Sequence, residues 1–352
     1  MTLVELMVAM TIAMALVAAV SMLFLNTRVS QRSTDERSQM RETGLMALDI
    51  LGRQIANAGF YPAAAEEQGL PGAAYQSGMP GTYAKAIAAA ASDPTERSDA
   101  LTNGLHGCHS GVPKANLKLS GCDATSTTLG RAGSDGITVA YFTDDAMSDD
   151  LGWRADCGRH DIAGDTWINA ARANAALDPK ILGVAAGSRT AAEGLPPKLP
   201  LLGVNQFFLR PVPRAILNDA GQSINAYELA CRGIGGQSSG SMYAIGLLPG
   251  VEQMVIRYGV ANQDRYVNES DATPERYMDA NAVTTANAWS RVTMVRVCVM
   301  VRNLNAVTRR VSGTQAKNCL GGNVTDTSMV TETFTRTFAI KNRHQNTISA
   351  AF

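Results

Sequence analysis

The sequence predicts an α+β protein in which one long N-terminal helix precedes a head built on an antiparallel sheet. Three observations predict it. Residues 1–25 are almost wholly apolar, an apolar stripe with helical spacing runs from Met40 to Ala58, and the strand-like segments gather late in the chain.

The opening stretch, MTLVELMVAMTIAMALVAAVSMLFL, holds one ionisable side chain, Glu5, among apolar residues and Thr2, Thr11 and Ser21. At a rise of 1.5 Å per residue this run covers about 37 Å, enough to cross a hydrocarbon core of about 30 Å with some tilt. An acidic group at the centre of a spanning helix costs about 2.5–3.5 kcal/mol, so an intramembrane carboxylate is a functional hypothesis. Glu5 lies near the chain end, where headgroups lower that cost and the positive end of the helix dipole favours a carboxylate. After Asn26 the composition turns polar. The stripe Met40, Gly44, Ala47, Leu48, Leu51, Ile55 and Ala58 then steps by three and four residues, which predicts a helix face lying against a head. Met14 and Met22 are helix formers, so no break is expected before Gly44. Gly59 suits the position past the helix end, and Pro62 prevents continuation.

Residues 60–131 are rich in Ala, Gly and Pro with weak periodicity and read as loop, with a helical turn or two at 83–91. Ser134-Asp135-Gly136 is a turn signal opening a strand at 137–142. An acidic loop follows, then an Ala-rich stretch at 164–192 and an extended connection marked by Pro196, Pro197 and Pro200. Further strands are predicted at 204–209, 224–232, 251–260, 291–302 and 332–340. Met254, Ile256, Tyr258 and Val260 alternate on one face, as do Phe334, Phe338 and Ile340 on another. The second half of the helix is the expected cover for one face of the sheet.

Formal net charge is zero over 352 residues, so no basic field advertises a nucleic-acid partner. The six cysteines form an even set behind a candidate membrane anchor, which suits an oxidising compartment. Proximity along the chain ranks the pairings Cys108 with Cys122, Cys157 with Cys231, and Cys298 with Cys319.

Thr2-Leu3-Val4-Glu5-Leu6-Met7, running into an uninterrupted apolar helix, resembles the mature N-terminus of type IV pilins and of the pseudopilins of type II secretion. In that superfamily a prepilin peptidase cuts after a glycine, the new first residue is N-methylated, and a glutamate at the position of Glu5 aligns each incoming subunit with a neighbour. The resemblance therefore implies that Met1 is the processed, N-methylated terminus and that Thr2 and Glu5 belong to the assembly end. Met1 departs from the commoner phenylalanine. Head segments are similar to PilW-type minor pilins, whose secretion counterpart is the J-type pseudopilin: LGRQIANAGF at 51–60, SDGITV at 134–139, YELACR at 227–232, GVEQMVIRYG at 250–259, Trp289-Ser290-Arg291-Val292 leading to Val295-Arg296-Val297-Cys298, and FAIKNR at 338–343.

What this resemblance implies is a type IV pilin fold. Residues 1–59 form the pilin helix, with 1–25 as transmembrane and filament-core segment, and 60–352 form a β-rich head outside the cytoplasm. The expected function is that of a minor pilin in the complex that primes pilus assembly and stays at the tip. A J-type pseudopilin and a membrane-anchored adhesin or enzyme are the alternatives. Implied partners are other minor and major pilins through the helix, the inner membrane before assembly, and the prepilin peptidase, with no cofactor and no catalysis. Arg28 and Arg32 follow the apolar run, and the positive-inside rule applied to them alone puts the C-terminal side in the cytoplasm. The pilin orientation is the opposite and predicts a short basic leader ending in glycine ahead of Met1.

Other constellations carry weaker chemistry. Gly236-Gln237-Ser238-Ser239-Gly240 matches the G-x-S-x-G hydrolase pattern, but lacks the following helix that a nucleophile elbow requires. His106, Cys108, His109, Cys122, Cys157 and His160 invite a zinc reading, yet show no paired zinc spacing, so disulfides beside exposed histidines are expected. Asp144, Asp145, Asp149 and Asp150 form an acidic loop with weak calcium potential and no D-x-D-x-D-G pattern.

Overall fold

The computed structural model describes residues 2–59, 100, 103–115, 121–125, 130–143, 155–160, 162, 201–217, 221, 223–233, 244–262, 273–304, 316–324 and 330–341. Helix α1 runs unbroken over Leu3–Ala56, a rod of roughly 80 Å. It contains no proline, and Met14 and Met22 lie in regular helix, as their propensities require. It closes at Asn57, whose N–H reaches the carbonyls of Gln54 and Ile55. The chain leaves through Gly59 at φ +68°, in the left-handed region where glycine carries no Cβ penalty.

The strands in chain order are β1 (Leu105–Cys108), β2 (Gly111–Pro113), β3 (Cys122–Ala124), β4 (Gly136–Thr143), β5 (Leu201–Pro211), β6 (Ile216–Leu217), β7 (Ser223–Ile224), β8 (Tyr227–Gly233), β9 (Ala244–Pro249), β10 (Val251–Ala261), β11 (Pro274–Met278), β12 (Val292–Arg302) and β13 (Thr331–Ala339). A short helix α2 (Ala280–Thr285) and a 3₁₀ turn at Trp289–Arg291 lie between β11 and β12. The strands form two main antiparallel sheets, β1-β4-β5-β8-β9 and β11-β10-β12-β13, with β2-β3 and β6-β7 as small ribbons.

One sheet was the expectation; the structure has two main sheets. The strongly periodic segments divide between them, β4, β5 and β8 in the first and β10, β12 and β13 in the second. The outer strands β1, β9 and β11 are short or lack clean alternation, which is why pattern alone did not announce them. The expected strand at 224–232 divides into β7 and β8. The region expected as loop up to residue 131 contains β1, β2 and β3. The expected helical turns at 83–91, the Ala-rich 164–192 and the prolines at 196, 197 and 200 lie outside the described residues, as does the Gly236–Gly240 motif.

Both sheets and α1 share one core. Ile137, Val139, Phe207, Leu209 and Leu229 enter it from the first sheet. Met254, Ile256, Tyr258 and Val260 enter from β10, and Val295, Val297, Val299 and Val301 from β12. The stripe from Met40 to Ala58 is buried along its length, with Ala47, Leu51 and Ile55 fully so.

The seat of α1 on β13 depends on two glycines. At Gly44 a Cβ would meet the Phe334 ring, and at Gly52 it would meet the Phe338 ring. Eight helical residues rise about 12 Å, and four strand residues about 13 Å. The two sockets and the two rings therefore fall into step along neighbouring, co-directional elements. Each glycine sacrifices about 1 kcal/mol of helix propensity, and each lets an aromatic ring reach the helix backbone.

Three disulfides brace the head: Cys108–Cys122, Cys157–Cys231 and Cys298–Cys319. They join β1 to β3, the turn at 155–160 to β8, and β12 to the segment 316–324.

Candidate assembly surface

The first half of α1 presents its whole circumference. Its N-cap is Thr2, whose Oγ1 accepts from the Glu5 amide at 3.4 Å, while the Thr2 amide donates to Glu5 Oε2 at 2.8 Å. This is a reciprocal capping box. In the single subunit the Glu5 carboxylate is thus already engaged by its own first turn, at the positive end of the helix dipole. The Thr2-x-x-Glu5 spacing is the sequence signal for the box, which an expectation resting on the dipole alone did not use. Met1 lies outside the described residues.

Within Leu3–Arg28 the most apolar window has a mean hydropathy of 2.5, and none of it is buried. By length and composition this segment can cross a membrane. Leu3 is 77% exposed and Phe24 55%, so a continuous apolar surface stands uncovered by the rest of the chain. The hydroxyls on this segment are satisfied internally. Thr11, Ser21 and Thr27 donate to the carbonyls of Val8, Val17 and Leu23 at 2.8–2.9 Å. Their protons therefore need no partner from the surroundings, which suits burial in lipid or among other helices. Arg28 folds its guanidinium over the Phe24 ring, 4.5 Å from the centroid, at the polar end of the segment.

The second half of α1 is tied to the head by polar contacts as well as packing. Asn205 donates to Gln54 Oε1 at 2.8 Å and to the Tyr141 hydroxyl oxygen at 3.0 Å. Its own carbonyl oxygen accepts from the Cys157 amide at 3.0 Å. Burial raises the Tyr141 phenol above its ordinary value. Just past the helix, the Gly59 amide donates to the Ala140 carbonyl of β4 at 2.9 Å.

Ser134-Asp135-Gly136, read from sequence as a turn, also joins the two sheets. The Asp135 Oδ2 accepts from the Ile256 amide of β10 at 2.7 Å, and Oδ1 accepts from the Ser110 amide at 2.9 Å. The Asp135 amide donates to the Met254 carbonyl at 2.7 Å. His109 Nδ1 lies 3.0 Å from Oδ1. Burial raises the Asp135 carboxyl above its ordinary range, against the pull of those backbone donors and His109. No expectation from sequence gave this aspartate a second role.

The histidines depart from expectation. His106 is buried, with its ring 5.2 Å from that of Trp289, because β1 is an inner-facing strand and not loop. Burial pushes its imidazole down to about 4. His109 and His160 keep part of their surface and face Asp135 and Asp156. All three cysteines of the zinc reading are consumed in disulfides, Cys108 with Cys122 and Cys157 with Cys231. Asp144, Asp145, Asp149 and Asp150 lie outside the described residues.

The second sheet and the elements leading to it decide the likeness to known proteins. Residues 216–342 match the family model of Type IV Pilus-assembly protein W. The chain resembles a PilW-type pilin. The match takes in β6 to β13, including the strand that seats α1. Among solved structures, a type IV-like pilin from Thermus thermophilus aligns with 89% of this chain and 97% of its own, at 8% identity and a TM-score of 0.29. A search of curated proteins finds no match. The PilW match and the apolar N-terminal helix together fit a membrane-anchored, type IV pilus-related pilin that meets other pilus components.

Proposed function

We propose that this chain is a minor pilin subunit that joins the complex priming a type IV pilus and remains at its tip. The observation that carries the reading is an uncovered apolar half-helix bearing one carboxylate, Glu5, continuous with a head that matches PilW. Before assembly the segment 1–25 rests in the inner membrane with residues 60–352 outside. A prepilin peptidase releases Met1, which is then N-methylated. On extraction, burial against other pilin helices replaces burial in lipid, so the transfer is close to balanced. Glu5 then exchanges its own Thr2 amide for the N-terminal amine of a neighbour, compensating both charges in an apolar setting. The head acts by packing and recognition, not catalysis.

Two variants at one position test this. Glu5→Gln keeps the acceptor of the capping box and removes the charge, whereas Glu5→Ala removes both. Both should stay membrane-inserted, and both should be depleted at least about tenfold from sheared filaments. Normal recovery of Glu5→Gln in filaments rejects the ion-pair role. A J-type pseudopilin uses the same step, and recovery with a secretion complex instead of a pilus assigns the chain there. A tethered adhesin or enzyme keeps its activity when residues 1–25 are replaced by an unrelated anchor.

A further inference from the structure

We propose that, with its thiols reduced, this protein binds one zinc ion through Cys108, Cys122 and His106. In the oxidised chain the two sulfurs and one imidazole nitrogen of His106 all lie within 4.8 Å of one another. Among the described residues this is the one group of three or more such ligands. It stands apart from the assembly helix and does not depend on the pilin reading.

The chain builds this cluster from local rules. His106 and Cys108 flank Gly107 on β1, so the two-residue period of a strand places both on one side. Cys122 arrives on β3, which β2 holds by the pairs Val112 with Asp123 and Pro113 with Cys122. The Lys114 amide donates to the Gly121 carbonyl at 3.2 Å, beside that ribbon. Asp135 grips the intervening turn through the Ser110 amide. Those bonds are independent of the S–S bond and keep the two cysteines adjacent when it is absent.

Distance permits the ion. The Cα atoms of Cys108 and Cys122 are 5.6 Å apart. Two Zn–S bonds of about 2.3 Å in tetrahedral geometry need the sulfurs a little under about 4 Å apart, which rotation about the Cα–Cβ bonds supplies. The His106 ring is wedged against Trp289, so its direction is set before a metal arrives. Cys122 is exposed, which opens the fourth position to water. Two thiolates, one imidazole and a water form a set suited to zinc.

Binding is a proton exchange without electron transfer. Two S–H bonds break, two Zn–S bonds form, and two protons leave. Metal and disulfide exclude each other because they use the same sulfurs. The site therefore belongs to the reduced chain, and the ion leaves when Cys108 and Cys122 exchange with an oxidising disulfide: their S–S bond forms, the Zn–S bonds break, and the oxidant's S–S bond is reduced to two thiols.

The test uses the full chain in detergent, reduced with a phosphine and titrated with Co²⁺, followed by competition with Zn²⁺. The reduced chain should bind one equivalent, show thiolate-to-cobalt charge-transfer absorption, and release cobalt to zinc. The oxidised chain should show no such absorption. Cys108→Ser should abolish the bands, and His106→Ala should weaken binding at least about tenfold. Near-ultraviolet circular dichroism checks that each variant keeps its packed head. If His106→Ala loses that packing, His106→Gln replaces it as the ligand-poor variant. Absence of the bands, equal bands in Cys108→Ser, or unchanged affinity in the folded His106 variant overturns the proposal.

Discussion

Replacing Gly52 by alanine should destabilise this protein, although the same change stabilises a free helix. On an isolated helix the gain is about 1 kcal/mol. Here the new methyl falls where the Phe338 ring already lies. That ring is held between the α1 backbone and β13, and its partner Phe334 is fixed in the same way at Gly44. Overpacking of this kind costs about 1–3 kcal/mol, so against the helix gain the net loss should reach up to roughly 2 kcal/mol. In a Phe338→Ala background the ring is gone, and Gly52→Ala should instead stabilise by roughly 1 kcal/mol. The difference between the two backgrounds corresponds to a coupling of about 1–3 kcal/mol. Urea unfolding of the full chain in detergent, followed by near-ultraviolet circular dichroism, measures all four corners of the cycle. Effects that add within about 0.5 kcal/mol refute the socket. A shift of the unfolding midpoint without a change in slope identifies stability as the quantity altered.

The buried histidine gives the head a pH dependence of defined sign. Burial lowers His106 from 6.5 to about 4; between those values the unfolded chain is protonated and the folded chain is not. Stability should therefore fall by about 3 kcal/mol as pH drops through that window, and His106→Phe should flatten the curve. Asp135 contributes the opposite slope, because its raised folded value adds stability as pH approaches the ordinary 3.8. The His106 loss should thus be steepest in the upper part of the window. Asp135→Asn should cost about 1–3 kcal/mol in thermal or chemical unfolding, since an amide nitrogen then confronts one of two buried backbone donors. Opening Cys157–Cys231 by paired serines removes a link of 74 residues. Loop entropy alone makes that worth about 4 kcal/mol, against about 3 kcal/mol for each shorter bridge; midpoints of the serine-pair variants rank the three.

What could be read from sequence was what has a period. The stripe from Met40 to Ala58 and the alternation at Met254 to Val260 each satisfy one geometric rule over many residues, and all of those positions are buried. The division into two sheets follows instead from contacts distant in sequence. The Asp135 bonds to Ile256 and Ser110 span 121 and 25 residues, and no local pattern records them. His106 illustrates the same limit. Taken alone it is a polar residue in a glycine-rich stretch; the antiparallel pairing of β1 with β4 places it beside Trp289. Thr2 and Glu5 are the opposite case, since their capping spacing is local and was legible. The disulfides lie between: each joins cysteines adjacent in cysteine order, although only the fold brings residues 157 and 231 together.

The two halves of α1 face different problems, and the residue types separate them. Between Leu3 and Leu25 the helix offers apolar side chains on every side and satisfies its hydroxyls within itself. Such a surface is indifferent to whether lipid or another helix covers it, because both remove the same apolar area from water. From Met40 onward the requirement is the reverse: one face must fit one sheet, and Gly44, Gly52, Gln54 and Gly59 each serve a particular neighbour. The unbroken backbone then couples the halves. Any rotation or shift imposed on the apolar half carries the head with it, since the sockets and the Asn205 bond leave little freedom to turn on the rod. In the proposed assembly, such a rod would convert the packing of its first turns into the orientation of a head some tens of ångströms away.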